Sequence, residues 1–69
     1  MYAAERHQRI LGRARSEGRV AVRDLAVSLD VTPETVRLDL ARLAKLGVVR
    51  RVYGGAVVLP LADHAAEAS

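Results

Sequence analysis

The 69-residue chain contains no cysteine, tryptophan or phenylalanine, and its only aromatic residues are two tyrosines. Without cysteine, neither disulfide bonds nor thiolate metal sites can stabilise the fold. Leucine, valine, isoleucine and alanine must therefore form the hydrophobic core. A chain of this length forms at most one domain, which buries only about 60% of the surface that the unfolded chain exposes. Little chain is left to build a substrate pocket, so we expect no enzymatic activity.

Long hydrophobic runs, catalytic groupings and metal-ligand clusters are also absent from the sequence. No uncharged run approaches the roughly 20 residues that span a bilayer, and the charged N-terminus lacks the apolar region of a signal peptide. His7 and His64 lie far apart, and no serine has a partner suited to catalysis. We therefore predict a cytoplasmic protein with no cofactor, no metal ion and no membrane contact.

Charge is distributed unevenly along the chain, although the formal net charge is only +3. All 11 basic residues, ten of them arginine, lie within residues 1–59 beside six acidic residues, which gives this part a charge of +5. Residues 60–69 contain Asp63 and Glu67 and no basic residue, so their charge is −2. The distribution indicates a domain over residues 1–59, followed over residues 60–69 by a tail or the start of a linker.

The first half of the chain predicts two helices separated by a short extended segment. Residues 3–16 lack proline and are rich in helix-forming residues, and Gly18 is expected to end this helix. Residues 19–22 suit a small edge strand or an extended lead-in, because they are short and contain two β-branched valines. A second helix is expected from Val22 or Arg23 to Leu29, and Asp30 suits the left-handed conformation of a tight turn.

The clearest helix start in the sequence is at Thr32, which we predict to be the N-cap of a third helix over residues 33–46. Pro33 suits the first helical position, and Gly47 is expected to end the helix. The very short connection to the second helix predicts the sharp crossing of a helix-turn-helix. Val31 would fill the corner between these two helices.

The segment 48–59 predicts a β-hairpin. Two runs rich in β-branched residues, Val48–Tyr53 and Ala56–Leu59, flank Gly54-Gly55, and a glycine pair between such runs favours a tight turn. Pro60 would end the second strand. Three helices and a small hairpin together indicate a mainly helical α+β fold.

A helical wheel divides the third helix into an inner and an outer face, because successive residues are about 100° apart. Val36, Leu40 and Leu43 form an apolar stripe that should face the core. The outer face is either an ordinary solvated surface or a recognition surface, and a leucine at its centre could contact a thymine methyl group. The outer face carries Glu34, Arg37, Leu38, Ala41 and Lys45.

The stretch from Glu5 to Ala56 resembles the winged helix-turn-helix domain of DeoR-type bacterial transcriptional regulators. The matching segments are ERHQRIL, GRVAVRDLAVSLDVTPETVRLDLARLAKLG and VVRRVYGGA, in the family's order and spacing. The resemblance implies three helices plus a small β-hairpin wing, and a repressor of sugar or nucleoside metabolism genes. In that family a larger C-terminal domain follows, binds a sugar phosphate and oligomerises, so an effector would be a partner only through a domain absent from these residues.

Two positions depart from the pattern of this family. The recognition helix usually has two adjacent arginines before Asp-Leu, where this chain has Arg37 and Leu38. The wing usually has histidine before Gly-Gly-Ala, where this chain has Tyr53. One cationic contact is therefore lost in the helix, and the wing keeps a ring with a hydrogen-bonding tip but loses the option of a positive charge.

The resemblance implies that helix 33–46 enters the major groove of double-stranded DNA. The hairpin 48–59 would be the wing, lying along the backbone or reaching the adjacent minor groove. A homodimer on DNA is compatible with this arrangement. The expected DNA-contacting residues are Thr32, Glu34, Thr35, Arg37, Leu38, Arg42, Arg50, Arg51, Tyr53, Gly54 and Arg6.

Several of these residues have structural alternatives. Thr32 can act only as a helix cap, Glu34 can favour the helix N-terminus, and Arg42 can form an ion pair with Asp39. The wing arginines can pack their stems on the core, and Gly54 can serve the turn alone. Asp39 would repel phosphates, so we predict a structural role in which a neighbouring arginine neutralises it.

The alternative function is that of a winged-helix protein-interaction module that does not bind DNA. RNA or single-strand binding is less favoured, because two tyrosines offer little surface on which bases can stack. A membrane-surface helix is less favoured still, because the first helix lacks a strong face of large apolar residues.

Overall fold

Three helices and a three-stranded antiparallel sheet make up the fold of the computed structural model. The structure describes residues 1–59, and the predicted tail over residues 60–69 lies outside the described residues. The mainly helical α+β class is confirmed. The elements in chain order are α1 (Ala3–Glu17), β1 (Arg19–Ala21), α2 (Val22–Leu29), α3 (Pro33–Lys45), β2 (Val49–Val52) and β3 (Gly55–Val58).

Local sequence signals set the ends of the helices as predicted. Gly18 ends α1 in the left-handed conformation, with φ of 86°, and its N–H donates to the carbonyl of Ala14. Asp30 takes the same conformation after α2, with φ of 56°. Thr32 caps α3, since its hydroxyl oxygen accepts the N–H of Thr35 at 3.2 Å. The observed α1 ends one residue later than predicted, at Glu17, and α3 ends one residue earlier, at Lys45.

The connection between α2 and α3 consists of residues 30–32 and has the sharp geometry of a helix-turn-helix. The left-handed Asp30 reverses the chain, and the N–H of Val31 donates to the carbonyl of Ala26 at 3.0 Å. Val31 is half-buried against the core, as the sequence predicted, and Ala26 is buried. This joint therefore fixes where α3 starts relative to α2.

The sheet contains one strand more than the predicted hairpin. β3 lies in the middle and pairs with both β2 and β1, in the order β1-β3-β2. The short segment before α2 is thus an edge strand, one of the two alternatives that its sequence left open. Val20 and Arg51 lie opposite Ala56 on either side. The sheet joins the N-terminal part of the chain to the hairpin.

The predicted hairpin turn is wrong by one residue. The turn consists of Tyr53 and Gly54, with φ of 77° at Gly54, whereas Gly55 is the first residue of β3. Gly55 is needed for a different reason, because a Cβ there would overlap the carbonyl oxygen of Val20 in β1. The glycine pair thus serves one tight turn and one close backbone approach.

All elements contribute to one aliphatic core. The predicted inner stripe of α3 is confirmed, since Val36, Leu40 and Leu43 are all buried. Each such side chain contributes roughly 1.5–3 kcal/mol on burial. The apolar core residues are Ile10, Ala14, Val20, Val22, Leu25, Ala26, Leu29, Val36, Leu40, Leu43, Val49 and Ala56.

No helix within residues 1–59 combines the length and apolar character needed to cross a membrane.

Candidate nucleic-acid interface

The outer face of α3 is exposed along its length, as the helical wheel predicted. Leu38 lies at its centre with 54% of its surface exposed, although it is a large apolar residue. A single exposed leucine is common on protein surfaces. Here charged side chains surround it, which leaves its methyl groups accessible between groups that can bind phosphates. The exposed residues of this face are Glu34, Arg37, Leu38, Ala41, Arg42 and Lys45.

The first turn of α3 combines the helix cap with a pair of exposed side chains. The hydroxyl groups of Thr32 and Thr35 lie 2.9 Å apart, so the capping role of Thr32 also engages Thr35. Glu34 and Arg37 form an ion pair of 3.6 Å between Oε1 and Nη1. Exposed pairs of this kind contribute little free energy, so Arg37 can exchange Glu34 for another anion at small cost.

The wing presents two arginines and a tyrosine to solvent. Arg50 and Arg51 in β2 are both exposed, so neither arginine packs into the core. Tyr53 is 96% exposed in the turn beside Gly54. These residues can reach a ligand that lies against the hairpin.

Arg51 also connects the wing to α3. Its Nη1 donates to the main-chain carbonyl of Arg37 at 3.4 Å, which is a long hydrogen bond. The sequence does not predict this contact, because the two residues are 14 apart and belong to different elements. Arg51 and the first half of α3 therefore lie next to each other on the surface.

The surface formed by α3 and β2 is strongly positive. Between Pro33 and Val58 there are two acidic residues, and one of them, Asp39, is buried. Glu34 is thus the single exposed acidic side chain of this stretch. A surface with this balance attracts polyanions and repels acidic partners. Its exposed basic side chains are Arg37, Arg42, Lys45, Arg50 and Arg51.

Asp39 lies on the opposite, inner face of α3 and is only 1% exposed. Arg6 binds it with two hydrogen bonds, Nε to Oδ2 at 2.5 Å and Nη2 to Oδ1 at 3.0 Å. The Nε2 atom of His7 is also 3.0 Å from Oδ1. The predicted structural role of Asp39 is therefore confirmed. The alternative of an Arg42–Asp39 ion pair is wrong, because Arg42 lies on the exposed face and the partners of Asp39 come from α1.

These contacts shift the pKa values of Asp39 and Arg6. Burial by itself raises the pKa of the Asp39 carboxyl, but the hydrogen bonds and charges of Arg6 and His7 outweigh it and lower that pKa below its ordinary value. The hydrogen bond to Asp39 raises the pKa of Arg6. Both groups are thus held in their charged forms.

The structure separates Arg6 from the other candidate contacts. Its side chain is 15% exposed, and Asp39 occupies its guanidinium. Its contact with DNA stays a prediction, but the observed geometry gives Arg6 a different role. The signal that a sequence offers for this role is weak, since 33 residues separate it from Asp39.

A cleft of about 360 Å³ lies beside the wing turn, where Tyr53 and Gly54 form part of its lining. Both charge signs line it, because Arg13 and Arg19 face it together with Glu17 and Asp24. It therefore has no preference for an anion. Within residues 1–59, no three side chains of histidine, aspartate or glutamate lie close enough together to hold a metal ion.

The sharp α2–α3 joint, the exposed face of α3 and the adjoining hairpin define a winged helix-turn-helix domain. Residues 6–60 match the family model of the DeoR-like helix-turn-helix domain. The chain belongs to this family. The resemblance noted in the sequence is thereby confirmed, and so is the winged fold that it implied.

Similar proteins are transcriptional regulators. The chain is 43% identical over 51 residues to the glycerol-3-phosphate regulon repressor of Haemophilus influenzae, covering 74% of this chain and 20% of that protein. It is 49% identical over 53 residues to an uncharacterised HTH-type transcriptional regulator of Staphylococcus epidermidis, covering 77% and 21%. It is 40% identical over 52 residues to the L-fucose operon activator of Haemophilus influenzae, covering 75% and 21%.

The matches thus span about a fifth of the length of these regulators. No solved structure is significantly similar to the chain.

Proposed function

We propose that the chain binds double-stranded DNA in a sequence-dependent manner, with α3 in the major groove and the β2–β3 hairpin as wing. The observation that carries the proposal is the charge balance of α3 and β2, which expose five basic side chains and a single acidic one, Glu34. Phosphate groups supply most of the affinity for such a surface. A helix fits the width of the major groove, and the wing then lies against the neighbouring backbone.

The first half of α3 would read the bases. Arg37 is the main candidate, because its fork can bind O6 and N7 of a guanine, and its ion pair with Glu34 is exposed and weak. Leu38 would contact a thymine methyl group, the Glu34 carboxylate would accept a hydrogen bond from a cytosine amine, and Thr35 would bind a base or a phosphate. Thr32 acts as the helix cap and contributes to DNA binding through that cap.

The wing would contact the sugar-phosphate backbone. Arg50 and Arg51 are exposed, and Tyr53 and Gly54 form the tip of the hairpin. The contact of Arg51 with the carbonyl of Arg37 supports a common orientation of wing and helix. Arg42, farther along α3, would reach a phosphate at the edge of the groove. Contacts of this kind fix position and carry no base information.

We further propose that this domain belongs to a cytoplasmic regulator of carbohydrate metabolism genes and that repression is its mode of action. The name of one relative, a glycerol-3-phosphate regulon repressor, supports both parts of the proposal. A second relative, an L-fucose operon activator, supports carbohydrate genes as targets but has the opposite mode of action. An effector sugar phosphate would act only through a separate domain. Two copies of the chain on adjacent half-sites would raise the affinity, as in other helix-turn-helix proteins.

The test of sequence-dependent binding starts from a selection of bound duplexes out of a random pool. The wild-type chain should enrich a common motif. Arg37→Ala should then weaken binding to that motif by about 1–3 kcal/mol and relax the preference at one base position. Arg15→Ala, on the exposed end of α1, is the matched control and should change neither.

The second candidate function is a protein-interaction module on the same fold. The exposed Val27 and Leu46, outside the positive surface, favour this alternative. No binding of the wild-type chain to any duplex would decide for this alternative. Duplex binding without an enriched motif, equal for wild type and Arg37→Ala, would contradict base recognition.

A further inference from the structure

Asp39 is the single buried charged residue within residues 1–59. It lies next to Leu38, at the centre of the positive surface, and yet its own side chain points away from that surface. Removing a carboxylate from water is costly, and an apolar residue of similar size often stabilises a core as well or better. Stability alone therefore gives a weak reason for a carboxylate at this position.

The partners of Asp39 come from one other element. Arg6 and His7 both lie in the first turns of α1, and they place three hydrogen-bonding contacts on the two carboxylate oxygens. A bidentate arginine–carboxylate pair fixes an orientation as well as a distance. The aliphatic contacts of the inner face of α3 are non-directional, so they do not fix the orientation of the helix in this way.

We infer that the cluster of Arg6, His7 and Asp39 sets the rotation of α3 about its own axis and thereby aims Arg37 and Leu38 at the base edges. The inference rests on the proposed function. Side-chain atoms of a helix lie roughly 5–6 Å from its axis, so a rotation of about 20° displaces them by about 2 Å. A displacement of that size breaks a hydrogen bond to a base. Arg6 and His7 are thus positioning residues that act through Asp39.

Two roles of Arg6, positioning of α3 and direct phosphate binding, have different effects on the affinity for DNA. A phosphate contact strengthens binding to every duplex and steepens the salt dependence by about one unit of slope. A positioning contact acts on base readout, because contacts to the flexible backbone tolerate a small rotation and base contacts do not. Loss of the cluster should therefore lower the ratio of specific to non-specific affinity and leave the salt slope unchanged.

The experiment compares the selected duplex with a scrambled one for wild type, Arg6→Gln, Asp39→Asn and the double variant. Dissociation constants are measured at 50–200 mM salt, with the fold checked by circular dichroism. We expect each variant to lower the specificity ratio roughly tenfold, the size of one base contact. The double variant should lose no more than either single variant, because both act through one contact. The slope for the scrambled duplex should not change.

Two further variants separate positioning from general effects of charge and stability. Arg9→Gln is the matched control. Arg9 lies about one helical turn after Arg6 in α1, and it pairs with the exposed Glu5 instead of with Asp39. It should keep the specificity ratio of the wild type. Arg6→Lys keeps the charge and the fold but loses the bidentate fork, so its ratio should lie between those of wild type and Arg6→Gln.

Three results would overturn the inference. The first is an unchanged specificity ratio in all cluster variants. The second is an equal loss for both duplexes with a shallower salt slope in Arg6→Gln, which would make Arg6 a phosphate contact. The third is additivity of the two single substitutions.

Residual dipolar couplings of the α3 amides keep the inference testable without DNA. They should report a rotation of α3 against α2 in Arg6→Lys and none in Arg9→Gln. If the wild type binds no duplex while the rotation is observed, the proposed function fails and the positioning role stands. Unchanged couplings in Arg6→Lys would overturn the positioning role whatever the DNA result.

Discussion

Asp39 shows how far a single residue can be interpreted from sequence. Its structural role and its neutralisation by an arginine follow from the repulsion between a carboxylate and phosphates. The identity of the arginine does not follow, because Arg42 is close in sequence and Arg6 is close only in space. Local spacing gives one candidate partner, and the packing of α1 on α3 selects another.

The Asp39 carboxyl also makes the fold sensitive to acid. Its pKa is lowered in the folded state, so the unfolded chain takes up the proton more readily. The stability that it contributes is present above its ordinary pKa of about 3.9 and is lost as the pH falls through the lower folded-state value. The thermal midpoint of the wild type should fall accordingly between pH 5 and pH 2. Arg6 and His7 are the charged or titratable groups that face this carboxyl from α1.

Two variants test this assignment by thermal unfolding across that pH range. Asp39→Asn should be less stable at neutral pH, because Arg6 loses its charged partner, and its midpoint should depend less on pH. Glu5→Gln should retain the acid sensitivity of the wild type, since Glu5 is exposed and its ion pair with Arg9 is weak. An equal acid sensitivity in Asp39→Asn and the wild type would contradict the assignment.

At the scale of elements, local signals predict the helices and long-range pairing decides the sheet. The cap at Thr32, the left-handed Asp30 and the terminal Gly18 act within a few residues, so they can be read from the chain. The pairing of β1 with β3 joins residues about 36 positions apart. Residue spacing in the sequence cannot predict that β1 pairs with β3. The predicted hairpin turn was wrong by one residue because Gly55 belongs to this pairing and not to the turn.

Gly55 holds β1 against β3, and its substitution tests the three-stranded sheet. Gly55→Ala should destabilise the domain by roughly 1–3 kcal/mol, because the added methyl group overlaps the carbonyl of Val20 and forces the strands apart. Urea unfolding followed by circular dichroism measures the difference.

Gly12→Ala is the matched control for this substitution. Gly12 lies within α1, and nothing lies within 4 Å of a Cβ added there. Alanine at this position should stabilise the helix by about 1 kcal/mol. A Gly55→Ala variant as stable as the wild type would contradict the close approach of β1 and β3.

At the scale of the whole molecule, aliphatic residues form the core and basic residues form the positive surface. The core of residues 1–59 consists of aliphatic residues without any aromatic side chain, and the basic residues of α3 and β2 are exposed to solvent. The candidate site is therefore largely predictable from the outer face of one helix and from the hairpin composition. The contact between Arg51 and Arg37, which unites the two, required the tertiary structure.

The salt dependence of duplex binding tests the central claim most directly. A chain that uses about 4–6 phosphate contacts should show a slope of roughly −4 to −5 when log K is plotted against log salt concentration. Fluorescence anisotropy of a labelled duplex between 50 and 200 mM salt measures it. We predict a slope in that range for the wild-type chain. A slope near zero, or no binding to any duplex at low salt, would contradict DNA binding by this domain.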